Sequence, residues 1–457
     1  MKKTIIYLML ATAMSSCGIY SNYKRPDNIQ IDGLYGTENS YGGASDTSSV
    51  ASLSWKELFT DPHLQGLINE GLEKNTDLRI AYLKVSEAEA ALMSSRLAFL
   101  PSLNLDPQGA LSSFDGAKPT KTYSIGASAS WEMDFFGKLR NAKKQARAQL
   151  EQSRNYSQAV QTQLIATIAN DYYTLLMLDE QIGISEKTLH YWEENVRVMK
   201  ALKLAGKADE QAVAQSEANC ASMNASLLNL RQQVSNVQNS LSALLGRTPG
   251  AIGRGKLDEQ RFPSDISAGV PLTLLSNRPD IRQSEAILAE CFYATNEARS
   301  AFYPSVTLSG TAGWTNNSGL GITDPGKWLL NAVGSLVQPL FNKGTNVARL
   351  KIAKAQQQEA LLSFQQNLLN AGTEVNNSLT AWQTARQRLE YDNKQIRHLQ
   401  TALRSAELTM QYGNSTYLEV LSAQQALLQA ELSAVQDRFD EIEGVIDLYH
   451  ALGGGVK

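Results

Sequence analysis

Two different rhythms of apolar residues alternate along this chain. Beyond residue 340, Leu361, Leu368, Val375, Trp382, Leu389, Ile396, Leu403 and Met410 are apolar at strict sevenfold spacing. Stepping back 207 positions from the central members gives Ile168, Leu175, Ile182, Leu189 and Val196, again spaced by seven. A sustained seven-residue period predicts helices that supercoil against neighbours with a left-handed twist. All twelve prolines lie outside 120–248 and 340–457. Proline costs a helix interior about 3 kcal/mol, so both stretches are free to run as very long helices. From Lys343 to Gln411 such a helix reaches about 100 Å at 1.5 Å per residue, more than a globular core can use. Gly206 and Gly413 stand at the helix ends and predict reversals, with return helices over about 209–245 and 416–452. The pattern is two helical hairpins.

The second rhythm has period two and precedes each hairpin. Tyr123, Ile125, Ala127, Ala129, Trp131, Met133 and Phe135 alternate with Ser124, Gly126, Ser128, Ser130, Glu132 and Asp134. Val306, Leu308, Ala312 and Trp314 alternate with Ser305, Thr307, Ser309, Thr311 and Thr315, and Leu103, Leu105 and Leu111 with Ser102, Asn104 and Gln108. A fourth, less regular candidate covers about 328–341. Small polar residues on one face, with apolar residues and terminal aromatics on the other, are the signature of strands in a transmembrane barrel. Four strands cannot close such a barrel, for which about eight is the minimum. An open edge in lipid strands unpaired amides at several kcal/mol each. The sheet is therefore either half of a soluble sandwich or one share of a barrel built by several chains. Only the second accommodates the helices as well.

The two rhythms come as a pair of copies. Arg96-Leu97-Ala98-Phe99-Leu100-Pro101-Ser102 returns 203 residues later as Arg299-Ser300-Ala301-Phe302-Tyr303-Pro304-Ser305, and Asp77 and Arg79 match Asp280 and Arg282 at that offset. The offset drifts to 205 for Phe136, Lys138 and Asn141 against Phe341, Lys343 and Asn346. It settles at 207 for Gly206, Val213 and Leu245-Gly246 against Gly413, Val420 and Leu452-Gly453. A slow drift signals small loop insertions between two copies of one unit. We read residues 55–250 as the first copy, 251–271 as a linker and 272–457 as the second.

The N-terminus adds an address. Lys2 and Lys3 precede an eleven-residue run, Thr4 to Met14, too short to span a bilayer and typical of a removable signal core. Ser15-Ser16-Cys17-Gly18 follows, resembling a bacterial lipoprotein signal (residues 1–17) whose cysteine is lipidated and begins the mature chain. Residues 18–54, rich in Ser, Gly, Asn and Tyr and without periodicity, read as a tether able to wrap a surface. Cys220 and Cys291 fall in helical patterns and read as buried thiols rather than a bridge.

Composition narrows the function by exclusion. With 43% hydrophobic and 19% charged residues the chain is no disordered polymer. A net charge of −3 gives no basic footprint for nucleic acid. Four scattered histidines pair at no metal-ligand spacing, nine methionines form no cluster, and no catalytic grouping stands out, so neither enzyme chemistry nor a cofactor is expected. Gly250-Ala251-Ile252-Gly253-Arg254-Gly255-Lys256 superficially echoes a phosphate-binding loop, but Leu257 follows where Ser or Thr is required, which makes it a connecting loop.

Trp55-Lys56-Glu57-Leu58-Phe59 with Asp61-Pro62 and Leu64, then Asn75, Asp77-Leu78, the central Leu274-Leu275-Ser276-Asn277-Arg278-Pro279-Asp280-Ile281-Arg282 and Gln338-Pro339-Leu340-Phe341 resemble the TolC-like outer-membrane factors. The nearest branch is the NodT-like lipoproteins serving resistance-nodulation-division efflux pumps. That resemblance implies a mainly α fold with a small β part. Long hairpins would form a periplasmic α-barrel, and four strands per protomer would join a shared, trimeric, twelve-stranded transmembrane β-barrel. It implies a lipid-anchored outer-membrane exit duct for small molecules, passive and not enzymatic. Its partners would be a periplasmic adaptor protein, an inner-membrane transporter and outer-membrane lipid. An exit duct for secreted polypeptides and a pore-free coiled-coil lipoprotein are the alternatives. Near the helix ends the family's duct is closed by inward, partly acidic side chains. Glu419 falls where one family acid lies, while Ser422 and Ala212 replace others. The expected constriction is Glu419 with Tyr417 and Ser422, and the expected adaptor-facing tips are Gly206 and Gly413.

Overall fold

The computed structural model describes residues 20–26, 53–206, 208–262, 278–315, 327–412 and 417–455. Cys17, Gly413 and the motif residues 274–277 lie outside this set. Contacts divide the chain into two compact units. One comprises residues 1–29, 82–155 and 282–367, and the other 30–81, 156–281 and 368–457.

Elements run in chain order α1 (Trp55–Leu58), α2 (Pro62–Lys74), α3 (Thr76–Leu97), β1 (Ser102–Ser112), β2 (Thr120–Met133), α4 (Lys138–Leu204) and α5 (Glu210–Leu244). They continue with α6 (Pro279–Ser300), β3 (Ser305–Thr315), β4 (Lys327–Val337), α7 (Thr345–Gln411) and α8 (Tyr417–Ala451). Lengths pair across the two halves: α3 and α6 have 22 residues each, α4 and α7 have 67, and α5 and α8 have 35. The hairpin helices fall within a residue or two of the positions read from periodicity. β4 ends at Val337 rather than near 341, because Pro339 has no N–H to give a ladder. Residues 250–256 form the expected irregular connection, leading into a short 3₁₀ turn at Leu257–Glu259.

Local chemistry explains the boundaries. Ser54 and Glu57 close a reciprocal capping box on α1. Asp61 caps α2 by accepting from the His63 N–H, with Pro62 at the first helical position. Asp209 caps α5 by accepting from Ala212 N–H. Both short hairpin helices end in the same left-handed glycine cap. Gly246 (φ 65°) passes the Arg247 N–H to the Ser242 carbonyl, and Gly453 (φ 81°) passes the Gly454 N–H to the Tyr449 carbonyl.

Within the second unit the core gathers Trp55, Phe59, Leu64 and Ile68 with Ile168, Tyr172, Leu175 and Leu241, and with Val375, Phe439, Ile442 and Tyr449. The helix seam is more deeply buried than the sevenfold series. Leu368 and Val375 are buried, but Leu389, Ile396, Leu403 and Met410 are only half-buried. The residues three positions further on, Phe364, Ala371, Ser378 and Ala385, form the closed side of the seam. One close approach is made by Gly444 on α8. A Cβ there would lie 2.9 Å from Trp382 Cα on α7. At the 207-residue offset the corresponding pair is Leu175 and Val237, so a large–small pair in one copy replaces two mid-sized residues in the other.

Candidate functional site

In the first unit the four strands form an antiparallel meander, β1-β2-β3-β4. Register sorts the side chains of β1, β2 and β3, whereas β4 also sets Leu329, Val333 and Val337 on the otherwise polar face. Leu103 faces Ala129, Leu105 faces Ala127 and Pro107 faces Ile125; Ile125 faces Trp314, Ala127 faces Ala312 and Trp131 faces Leu308; Ala312 faces Leu330 and Trp314 faces Trp328. All share one face. The alternate face carries Asn104, Asp106, Ser124, Ser128, Ser309, Thr311 and Asn331, with the Ser128 hydroxyl 2.6 Å from the Asp106 carboxylate. Leu103, Leu105 and Leu330 are 78%, 70% and 83% exposed, so the apolar face is open in the single chain. Tyr123 and Trp131 stand eight residues apart on β2. That is about 26 Å along a strand and about 20 Å of membrane normal at the usual tilt, comparable to the apolar band of an outer-membrane barrel. Trp314 and Trp328 make a cross-strand aromatic pair, ring centroids 4.4 Å apart. Among the described residues β1 and β4 each pair on one side only.

Also in this unit, residues 20–26 run as a strap along α6. Tyr23 packs edge-on against Phe292 and its N–H meets the Tyr293 hydroxyl, Arg25 forms a two-pronged pair with Glu285, and Lys144 donates to Asn22. Within the span expected to be a surface-wrapping tether, these seven residues lie clamped along α6.

In the second unit, Arg278 is only 4% exposed and joins three elements. It grips Asp280 in the first turn of α6 with two N–H groups, donates to Glu374 of α7 at 2.7 Å, and caps the α8 carbonyl of Ala451 at 2.7 Å. Burial works against ionisation of Glu374, but hydrogen bonding to His450 and the Arg278 charge outweigh it, holding the carboxyl down at about 2. At the matching place in the first copy, Asn75 donates to the Leu244 carbonyl at 2.9 Å and caps α3 through the Leu78 N–H. Leu244 and Ala451 are 207 residues apart. Arg278 belongs to the central motif of the sequence, and this clamp gives it a physical role there.

The expected hairpin residues are only partly brought together. Gly206 follows α4 with φ 69°, in the left-handed region the reversal needs. Glu419 and Ser422 lie three apart in the first turns of α8, both exposed and on neighbouring positions of one face. Tyr417 is half-buried, its hydroxyl 3.0 Å from Ser216 Oγ of α5. Ser216 was not anticipated; an isolated serine in a helix carries no signal. Among the described residues no group of three or more His, Cys, Asp or Glu could hold a metal, and no helix is long and apolar enough to cross a membrane.

A protein with paired 67-residue helices and a sheet open at both edges, apolar on one face and hydroxyl-rich on the other, belongs to the class of membrane ducts rather than of catalysts. Comparison with known proteins gives the family. The model of the outer membrane efflux protein family matches residues 67–247 and again 270–454, and the chain belongs to that family. It is similar to the cation efflux system protein CusC of Escherichia coli K12, 28% identical over 455 residues covering 98% of each chain. It also resembles the probable outer membrane lipoprotein SilC of Salmonella typhimurium, 29% identical with 89% of each covered. Among solved structures, the open state of the Neisseria gonorrhoeae MtrE outer membrane channel superposes with a TM-score of 0.86 at 29% identity, covering 96% of this chain and 99% of that one. The protein is thus an efflux channel of the outer membrane and not an enzyme. The relatives do not favour the polypeptide-secretion and pore-free alternatives.

Proposed function

We propose that three copies of this chain assemble into one exit duct, each giving β1–β4 to a twelve-stranded barrel and its two hairpins to a periplasmic tube. The observation that carries this reading is the sheet with two unpaired edges and an uncovered apolar face. Lipid cannot satisfy edge amides, so β1 of one copy pairs with β4 of the next until the ring closes. Native mass spectrometry of the full-length protein in detergent should give a trimer, and bilayer reconstitution should give discrete conductance steps. A monodisperse single subunit without detergent would overturn the proposal.

The hairpin ends at Gly206 and Gly413 are the tips that meet a periplasmic adaptor. Through it they reach an inner-membrane transporter of the resistance-nodulation-division type, which selects the substrate. Cys17 carries the lipid anchor at the outer membrane; Cys17→Ala should abolish metabolic labelling with palmitate, and retained label would remove that residue from the role. Glu419 and Ser422 line the constriction of the trimer, with Tyr417 holding the end of α8 against α5. Three Glu419 carboxylates facing one axis favour cations. Glu419→Gln should reduce cation preference in single-channel recordings, and an unchanged reversal potential would exclude Glu419 from the narrow point.

Residues 55–250 and 272–457 act as two copies of one structural unit. The equal helix lengths, the twin glycine caps and the matched clamps at Asn75 and Arg278 support that division.

A further inference from the structure

Where α4, α7 and α8 diverge in the second unit, they leave a groove of about 540 Å³. Its floor is apolar: Ile184 and Trp192 of α4, Ile396 and Leu403 of α7, Leu427 and Leu428 of α8. Ile396 and Leu403 belong to the sevenfold series, so the groove is a stretch of helix seam that these three helices leave unfilled. Its rim is acidic. Glu180, Glu407 and Glu431 line it against the single cation Lys187. Tyr191 donates its hydroxyl to Glu407, placing an aromatic ring beside a carboxylate. Trp192 is only 6% exposed, and its indole N–H has no acceptor.

We propose that this groove is a binding site for a small amphiphilic organic cation. The volume is that of a small-molecule pocket. Apolar walls take the hydrocarbon body, while the acidic rim attracts a positive head, which the Tyr191 ring and the adjoining Glu407 carboxylate hold by cation–π and charge attraction. Charge complementarity selects this occupant over an anion or a neutral solute of the same size. Burial pushes the Glu431 carboxyl up, with Lys187 partly offsetting it, so a second cation in the groove would favour its ionised form. Because the walls come from both hairpins, an occupant bridges them and couples its binding to their separation.

Tetraphenylphosphonium and tetraphenylborate share size and shape and differ in the sign of their charge. Titrating each calorimetrically into the full-length, detergent-solubilised protein tests the proposal. The phosphonium should saturate at one per chain and the borate should not. Glu407→Gln/Glu431→Gln should weaken phosphonium binding at least tenfold. Should that double variant fail to fold, Lys187→Gln, at an exposed position, serves instead and should tighten binding several-fold. Equal affinity for both ions, no saturable binding, or affinity unmoved by these substitutions would overturn the assignment.

Discussion

Replacing Arg278 with Met lowers unfolding stability by about 3 kcal/mol, the low end of the range for breaking a buried ion pair, because Asp280 and Glu374 keep partial access to water. The loss includes the Ala451 carbonyl, left without its donor at the end of α8. Asn75→Ala, which removes only neutral bonds at the matching place, costs about 1 kcal/mol. Chemical denaturation of the detergent-solubilised protein checks both. Equal losses at the two positions would show that the charges contribute nothing beyond the shared cap. The same clamp predicts a pH dependence of definite sign. Glu374 is depressed from 4.5 to about 2. Its contribution is therefore complete above about 4.5 and is lost as pH falls from there toward 2. Arg278→Met removes one of the two partners that hold the carboxyl down and leaves His450, so the variant's stability falls less steeply across that window.

Gly444→Val is expected to cost about 3 kcal/mol, the upper end for overpacking, because the added atoms meet Trp382 backbone, which cannot swing aside as a side chain does. Even Gly444→Ala should destabilise, although alanine in a helix is intrinsically favoured over glycine by about 1 kcal/mol. Gly183, inside α4, has open space where its Cβ would stand, and there the same change should stabilise by roughly 0.5–1 kcal/mol. Opposite signs at two helical glycines, read from thermal unfolding, isolate the close approach as the cause. Because the atoms met are Trp382 Cα, Cβ and N, which a leucine keeps, Gly444→Val with Trp382→Leu should recover little of the loss. Recovery of at least half would mean that the tryptophan ring, rather than the helix spacing, dictates glycine.

Much of this architecture is local and therefore legible. Sevenfold spacing and absent prolines bounded α4 and α7, and strict alternation placed β1, β2 and β3, because each signal lies within one element. What stayed hidden depends on distant partners. Arg278 meets Glu374 and Ala451, 96 and 173 residues away, and no local pattern announces either bond. The closed side of the seam runs through Ala371, Ser378 and Ala385, small or polar residues that a search for large apolar ones passes over. The strap at 20–26 looks like any Tyr- and Asn-containing linker until Phe292, Tyr293 and Glu285 are seen opposite it. At the hairpin ends, the family resemblance groups Glu419, Tyr417 and Ser422, but nothing in the sequence tells that Tyr417 is engaged with Ser216.

The unlike clamps at the two hairpins carry a consequence for acid shock. One clamp is a neutral amide, while the other includes the Glu374 carboxylate, whose protonation weakens its hold on Arg278. In the trimer proposed above, six hairpin staves would then carry two kinds of fastening. Strong acid would loosen those held at Glu374 and leave those held at Asn75 standing as fixed ribs.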